Sequence, residues 1–402
     1  MKARLGRLVA AACLALLLSE WLLFISRPLT TGMGQDFTTM YAGAVQWLHG
    51  VNPYQHPELL PAVARKLGVM QQGVVNSPIL LLVDAPLTTL APRTAYLIFI
   101  AIQSALLVLS VHLLVASRPA TAAGEMRFRT FFWSLVVLCS PLAFLVCYYG
   151  QIAGFIAAAL SLAIYARSRG RYGLLGAALG LTILKPQLAV LAFPLLWGAT
   201  RRTWAACAAV VAAYAGIIAW ELSPAGLVGY IHVMMLFSGG RFATASADSL
   251  GFTSLYRGWL PHGSLSATLE AVALLAPLAA GLLVIHGACR ARIGLDRTRV
   301  MLALLAVLAM PYTHQYDAAA LIPIFVVGWW ALCDAQERSP SRRHLRYVYA
   351  AGVLLVGVMA LAAVSVVPIP LRLSSIGLVL CVAALGSSSP AEEGQQERAR
   401  AA

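Results

Sequence analysis

The stretch YGLLGAALGLTILKPQLAVLAFPLLW, residues Tyr172 to Trp197, is the one on which the topology turns. Read as one helix it crosses a membrane once. Read as two short segments parted at Lys185-Pro186 it returns to the side it left, and every later loop changes side. Proline removes a helix donor and crowds the preceding turn, and it pushes the residue before it out of the helical region. Each half then falls below the ~20 residues that ~30 Å of hydrocarbon requires. The broken reading is adopted because it keeps the arginine clusters on one side and because irregular backbone at membrane depth is tolerated where it lines a polar cavity. Lys185 itself has two readings: its stem snorkels to lipid headgroups, or its ammonium meets an anion inside the apolar region.

Composition agrees with a membrane chain. Of 402 residues, 60% are apolar and only 11% charged, and the mean hydropathy is +0.80. These values point to an all-α polytopic membrane protein. The formal charge of +14 would suggest nucleic acid in a soluble domain. Here the arginines fall in short loops between apolar runs, the pattern of cytoplasmic loops, so nucleic-acid binding is set aside. Lysine occurs only at Lys2, Lys66 and Lys185. The cysteines are scattered through apolar segments without ligand spacing, so they read as small buried side chains and no metal or cofactor is expected.

Twelve spans follow. Basic residues Lys2, Arg4 and Arg7 open an apolar run from about Leu8 to Ile25, read as an uncleaved first helix with a cytoplasmic N-terminus. Residues 28–92 form an extracytoplasmic loop with interfacial helices: Phe37, Met40, Tyr41, Ala44, Val45 and Leu48 recur at helical spacing, and Gly50-Val51-Asn52-Pro53-Tyr54 forces a turn. The run Ile79 to Leu90 carries Asp84 and Pro86 and is interfacial or re-entrant. Further spans are expected at Thr94–Ala116, Phe131–Tyr148, Ile152–Ala166, Tyr172–Leu184, Leu188–Trp197, Trp204–Trp220, Leu265–His286, Val300–Pro311, Asp317–Cys333, Tyr347–Val366 and Leu371–Leu385, with a second outer loop at 221–263. Residues 1–386 are taken as a single integral membrane domain, and 387–402 as a disordered cytoplasmic tail.

On this topology polar residues gather at the outer ends of the helices. They are Asp36, Gln151, Lys185 and Gln187, then Arg241 in the second outer loop, and His314 and Asp317. Asp36, in Gly34-Gln35-Asp36-Phe37-Thr38-Thr39-Met40-Tyr41, is the candidate catalytic base; the alternative is a turn or helix cap. A lysine beside proline in an apolar run suits a phosphate at the membrane surface. Gln151 also reads as an interhelical amide, and His314 with Asp317 as a tie between helix ends.

In order, Gly34-Gln35-Asp36-Phe37 with Tyr41, Gly50-Val51-Asn52-Pro53-Tyr54, Tyr149-Gly150-Gln151, Gly176 to Gly180 leading into Lys185-Pro186-Gln187, and Pro311 to Asp317 resemble the bacterial glycosyltransferase family 87, formerly the domain of unknown function DUF2029. The likeness runs from about Gln35 to about Pro323. It implies a GT-C fold in the bacterial inner membrane with both termini cytoplasmic and the site facing the periplasm. It also implies an inverting transfer of a hexose, mannose in characterised relatives, from a polyprenyl-phosphate carrier to an envelope glycolipid or polysaccharide. The family's acid after the first helix corresponds to Asp36, and its phosphate-side lysine to Lys185. Substrate-contacting roles are expected for Gln151, Gln187, Tyr41, His314, Asp317 and Arg241, with Arg257 and Arg372 as weaker cations. One departure stands out: many relatives have Tyr-Pro-Pro where this chain has Asn76-Ser77-Pro78. The reading from another class is a transporter or flippase of a lipid-linked sugar, since broken helices and buried charges also mark transporters.

Overall fold

The computed structural model describes residues 2–29, 33–69, 77–118, 123–238, 250, 264–289, 295–310, 313–338, 343–362 and 373–387. Among these every regular element is helical. In chain order the α-helices are α1 (Lys2–Ser26), α2 (Gln35–Leu48), α3 (Leu60–Leu67), α4 (Ile79–Asp84), α5 (Pro92–Ser117), α6 (Ala123–Leu138), α7 (Pro141–Tyr149), α8 (Ala153–Ser168) and α9 (Tyr172–Gly180). They continue with α10 (Pro186–Ala189), α11 (Ala192–Leu196), α12 (Arg201–Glu221), α13 (Ser223–Ser238), α14 (Ser264–Cys289), α15 (Leu295–Ala309), α16 (Ile322–Arg338), α17 (Arg343–Ala362) and α18 (Leu373–Ser387).

Among the described residues four segments are long and apolar enough to cross a membrane: Pro92–Ser117, Arg201–Glu221, Ala271–Cys289 and Gln315–Cys333. Large side chains on two of them face outward, Trp220 at 80% exposure and Leu283 at 72%. Such surfaces suit lipid rather than water. The run expected as one helix over Phe131–Tyr148 is a bent pair, with 58° between Arg129–Leu138 and Pro141–Tyr149. Its break has a local cause. Ser140 N-caps α7 by accepting from the Ala143 N–H at 3.2 Å, and Pro141 starts the new helix where its missing N–H costs nothing. Part of the expected outer loop at 221–263 is also helical, as α13.

The chain packs as two compact units: residues 1–189 with 199–242, and residues 190–198 with 243–402. In the first, α5 and α8 run side by side in the same direction. Gln103 lies against Gly154, Ser110 Oγ meets Ser161 Oγ at 2.5 Å, and Arg169 donates to the Ala116 carbonyl at 3.0 Å. The Gly176 and Gly180 pair lies on the face of α9 that receives α12, where the Thr203 and Cys207 carbonyls leave no room for a β-carbon. Close helix approach through small residues is the usual solution where lipid supplies no hydrophobic drive. In the second unit, α17 and α18 meet at Gly352 and Gly377, each against the other's carbonyl. There too the Tyr349 hydroxyl donates to the Phe325 carbonyl at 3.0 Å.

The core of the first unit surrounds α2. Phe37 is fully buried, with ring centroids 5.6 Å from Tyr96 and 5.1 Å from Phe99. Gly150, which ends α7 at φ 73°, sits so close that a β-carbon there would lie 2.4 Å from Phe37 Cβ. A Gly150→Ala protein therefore meets both a left-handed backbone and a clash, and is expected to lose about 1–3 kcal/mol or more of stability. Thermal unfolding of the detergent-solubilised variant checks this; an unchanged midpoint contradicts the packing.

Candidate functional site

Three interruptions of helix converge in the first unit. The first is Gly34, left-handed at φ 67°, which starts α2. Its N–H donates to the Tyr148 carbonyl at 2.6 Å, and its carbonyl accepts from the Thr38 N–H at 2.7 Å. This joint ties the start of α2 to the end of α7. The Tyr96 hydroxyl reinforces it by donating to the Cys147 carbonyl at 2.7 Å. Asp36 then falls in the first turn of α2, the helix end whose unpaired N–H groups favour a negative charge.

The second interruption is Gly150-Gln151, between α7 and α8. Gly150 takes the left-handed conformation that closes α7, with its N–H on Val146 and Cys147, and the Gln151 N–H returns to the Val146 carbonyl at 2.9 Å. The third is Lys185. A 3-10 turn over Leu181–Leu184 follows α9, and Lys185 is held out of the helix at φ −128° and ψ 88° by the proline after it. Pro186 then opens α10. The expected break in Tyr172–Trp197 thus falls at Lys185-Pro186.

The side chains from these breaks form a chain of hydrogen bonds. Lys185 Nζ donates to Gln151 Oε1 at 2.8 Å, and Gln151 Nε2 donates to Asp36 Oδ2 at 2.6 Å. Lys185 and Gln151 are each only 4% exposed. The orientation of the amide is dictated from both ends, because an ammonium has no acceptor and a carboxylate no donor. Gln151 therefore couples an otherwise costly buried cation to an acid through one planar group.

The other expected residues stand as follows. The Tyr41 hydroxyl donates to the Leu90 carbonyl at 2.7 Å, holding the 3-10 segment that follows α4. Gln187 lies half-buried on α10, two residues beyond Lys185. In the second unit, the fully buried Asp317 accepts from the His314 N–H at 3.0 Å and caps the 3-10 turn Gln315–Leu321, while the His314 and Tyr316 rings stack at 5.0 Å. Arg241, Arg257, Arg372 and the tail 388–402 lie outside the described residues.

One buried acid had no signal in the sequence as part of this core. Asp84, at the end of α4, is 1% exposed, and its Oδ2 has no hydrogen-bond partner among the described residues. The helix α4 packs on α2. Nothing in ILLLVDAPL has a periodicity that separates a buried acid from a solvated one. Burial pushes its carboxyl up to about 8 from the ordinary 3.8.

The fold and site together define an α-helical membrane protein in which one buried amide joins a half-buried acid to a buried lysine. Family comparison then identifies it: residues 75–311 match the model of glycosyltransferase family 87, and the chain belongs to that family. It is a glycosyltransferase. The matched residues contain Gln151, Lys185, Gln187 and Arg241, whereas Asp36, Tyr41, His314 and Asp317 lie beyond their ends. No curated protein matches the chain.

Two measurements bear on these acids and their amide. Each hydrogen bond to a charged group is worth about 1.5–3 kcal/mol, so Gln151→Leu is expected to cost roughly 3 kcal/mol or more in chemical denaturation. For Asp84, the folded chain holds a proton that the unfolded chain has released between about pH 4 and 8. Its contribution is therefore complete below pH 4 and fades as pH rises toward 8. Asp84→Asn is expected to flatten the fall in melting temperature over that window, and an unaltered pH profile would argue against the buried acid.

Proposed function

We propose that this glycosyltransferase moves a hexose, mannose by the family resemblance, from a polyprenyl-phosphate carrier to an envelope glycolipid or polysaccharide, with inversion. The observation that carries the reading is the Lys185–Gln151–Asp36 relay. In the reaction an acceptor hydroxyl attacks the anomeric carbon from the face opposite the phosphate. The new carbon–oxygen bond forms as the bond to the phosphate oxygen breaks. The hydroxyl proton passes to Asp36, acting as general base. The electron pair of the broken bond stays on the phosphate, whose growing charge the Lys185 ammonium stabilises more in the transition state than in the ground state. A phosphate leaves without protonation, so no second carboxylate is required, unlike in glycoside hydrolysis.

Gln151 gives the two roles a fixed relation. Its amide bonds to the acid through one atom and to the cation through another, which ties the two to a single planar group. Gln187 and Tyr41, with Arg241, His314 and Asp317, are candidates for contacts with the rest of the substrates. The arginine clusters favour a GT-C topology of about twelve spans in one domain, residues 1–386, with both termini in the cytoplasm and the site facing the periplasm of a bacterial inner membrane. The donor's isoprenoid tail then reaches the site from the lipid, which accounts for a sugar-transfer centre built within a membrane.

The test uses purified full-length protein, a radiolabelled polyprenyl-phosphate mannose and a lipid extract as acceptor. Asp36→Asn is expected to lower kcat by about 10²–10⁴ while the donor still binds. Lys185→Gln is expected to weaken donor binding and slow transfer together. Undiminished turnover by Asp36→Asn removes the base from the mechanism, and a wild-type protein inert toward every polyprenyl-phosphate hexose offered removes the donor class.

A further inference from the structure

The face of α12 that receives α9 continues past the point where α9 ends. Gly176 lies against Thr203 and Ala206, and Gly180 against Cys207 and Val210, so the two helices run side by side in the same direction. Carried forward, that register brings the break at Lys185 level with Tyr214, and Leu184 and Tyr214 pack against the same apolar cluster. At helical spacing the face runs on from Val210 through Tyr214 and Ile218 to Glu221. Glu221 therefore stands about 10 Å along α12 beyond the level of Lys185.

Tyrosines gather on this part of the face. The Tyr214 hydroxyl shares a hydrogen bond with Ser77, just before α4. Ser223, at φ 50° the only non-glycine among the described residues in the left-handed region, turns the chain from α12 into α13. That turn lays α13 on the segment after α2. A β-carbon at Gly229 would meet the Tyr54 carbonyl oxygen at 2.6 Å, and the Tyr54 and Tyr230 rings stand edge to face with centroids 5.3 Å apart. Tyr54 is buried, whereas Tyr214, Tyr230 and Glu221 are half-buried. Glu221 lies within electrostatic reach of Tyr54 and Tyr214. Both of its carboxylate oxygens are nevertheless shielded from solvent, and neither accepts a hydrogen bond among the described residues. An acceptor-only group placed this way is destabilising until something else brings the donors.

We infer that Glu221, with Tyr54, Tyr214 and Tyr230 around it, is a subsite for a pyranose ring of the substrate, each carboxylate oxygen accepting from one of two neighbouring sugar hydroxyls. A few polar groups within aromatic walls are the usual make-up of a small-molecule site. Neighbouring hydroxyls supply two donors to one acid, which neither a hydrocarbon tail nor an ionised phosphate can do. The value of such a subsite beside the Lys185 break rests on the reaction proposed above, because a ring held there aligns the one that reacts.

The experiment places full-length protein in lipid nanodiscs and titrates three probes by saturation-transfer NMR: methyl mannoside, methoxytetrahydropyran, which is the same ring without hydroxyls, and tetramethylammonium. Wild type is expected to bind methyl mannoside at least about tenfold more tightly than the bare ring, a difference near 1.4 kcal/mol. Glu221→Gln is expected to reduce that margin and Glu221→Leu to abolish it. Glu221→Leu is also expected to melt at or above the wild-type temperature, because it removes a shielded acid that has no partner. In transfer assays, a raised acceptor KM in Glu221→Gln with the donor KM unmoved assigns the ring to the acceptor, and the reverse assigns it to the donor. The subsite is overturned by equal affinity of wild type for both rings, by tighter binding of tetramethylammonium, or by a wild-type margin in Glu221→Leu. It is overturned equally by a lower melting temperature in Glu221→Leu, or by both KM values unmoved in Glu221→Gln. A wild type that prefers methyl mannoside but transfers from no polyprenyl-phosphate hexose fails the proposed donor and leaves this subsite standing.

Discussion

A lysine inside an apolar helix bundle is among the more expensive arrangements a chain can adopt, and the first unit is built so that Lys185 is met. The cost of an isolated buried ion runs to several kcal/mol even after relaxation. Gln151 offsets it by accepting from the ammonium and passing the polarity on to Asp36. For this to work the amide must project from a point where backbone is not tied up in helix, and the carboxylate must reach it from a different helix. The packing of Phe37 against Gly150 and the bond from Gly34 to Tyr148 bring those points within reach.

All three participants stand at helix interruptions, and each interruption has its own chemical cause. Two depend on glycines in the left-handed region and one on a proline. Irregular backbone exposes N–H and C=O groups that lipid cannot satisfy, so within a membrane such breaks persist only where protein or a polar ligand closes them. Three of them clustered together make a polar enclave in an otherwise greasy unit. A glycosyltransferase acting at a membrane needs such an enclave, since sugar hydroxyls and a departing anion both require polar partners that hydrocarbon withholds.

Several features are legible in the amino-acid sequence. The apolar composition announced a membrane chain, and Lys185-Pro186 announced a broken helix, because proline acts on its immediate neighbours. Asp36, Gln151 and Lys185 could be singled out because ionisable and amide groups in apolar runs are rare and costly. Other features resisted. The bend at Ser140 was smoothed into one span because hydropathy over Phe131–Tyr148 is continuous. Asp84 passed as an interfacial acid because a short apolar run carries no period to tell its buried side from its wet one.

What the sequence determined by itself is local: where helices stop, which positions need glycine, and which polar groups would be stranded in lipid. What only the tertiary structure decided is the partnership, since Gln151 and Asp36 are separated by 115 residues and Gln151 and Lys185 by 34. No propensity or spacing links positions so far apart. They meet because helices with small-residue faces approach closely enough for side chains from separate breaks to share one amide, and that approach is a property of packed surfaces, not of any segment read alone.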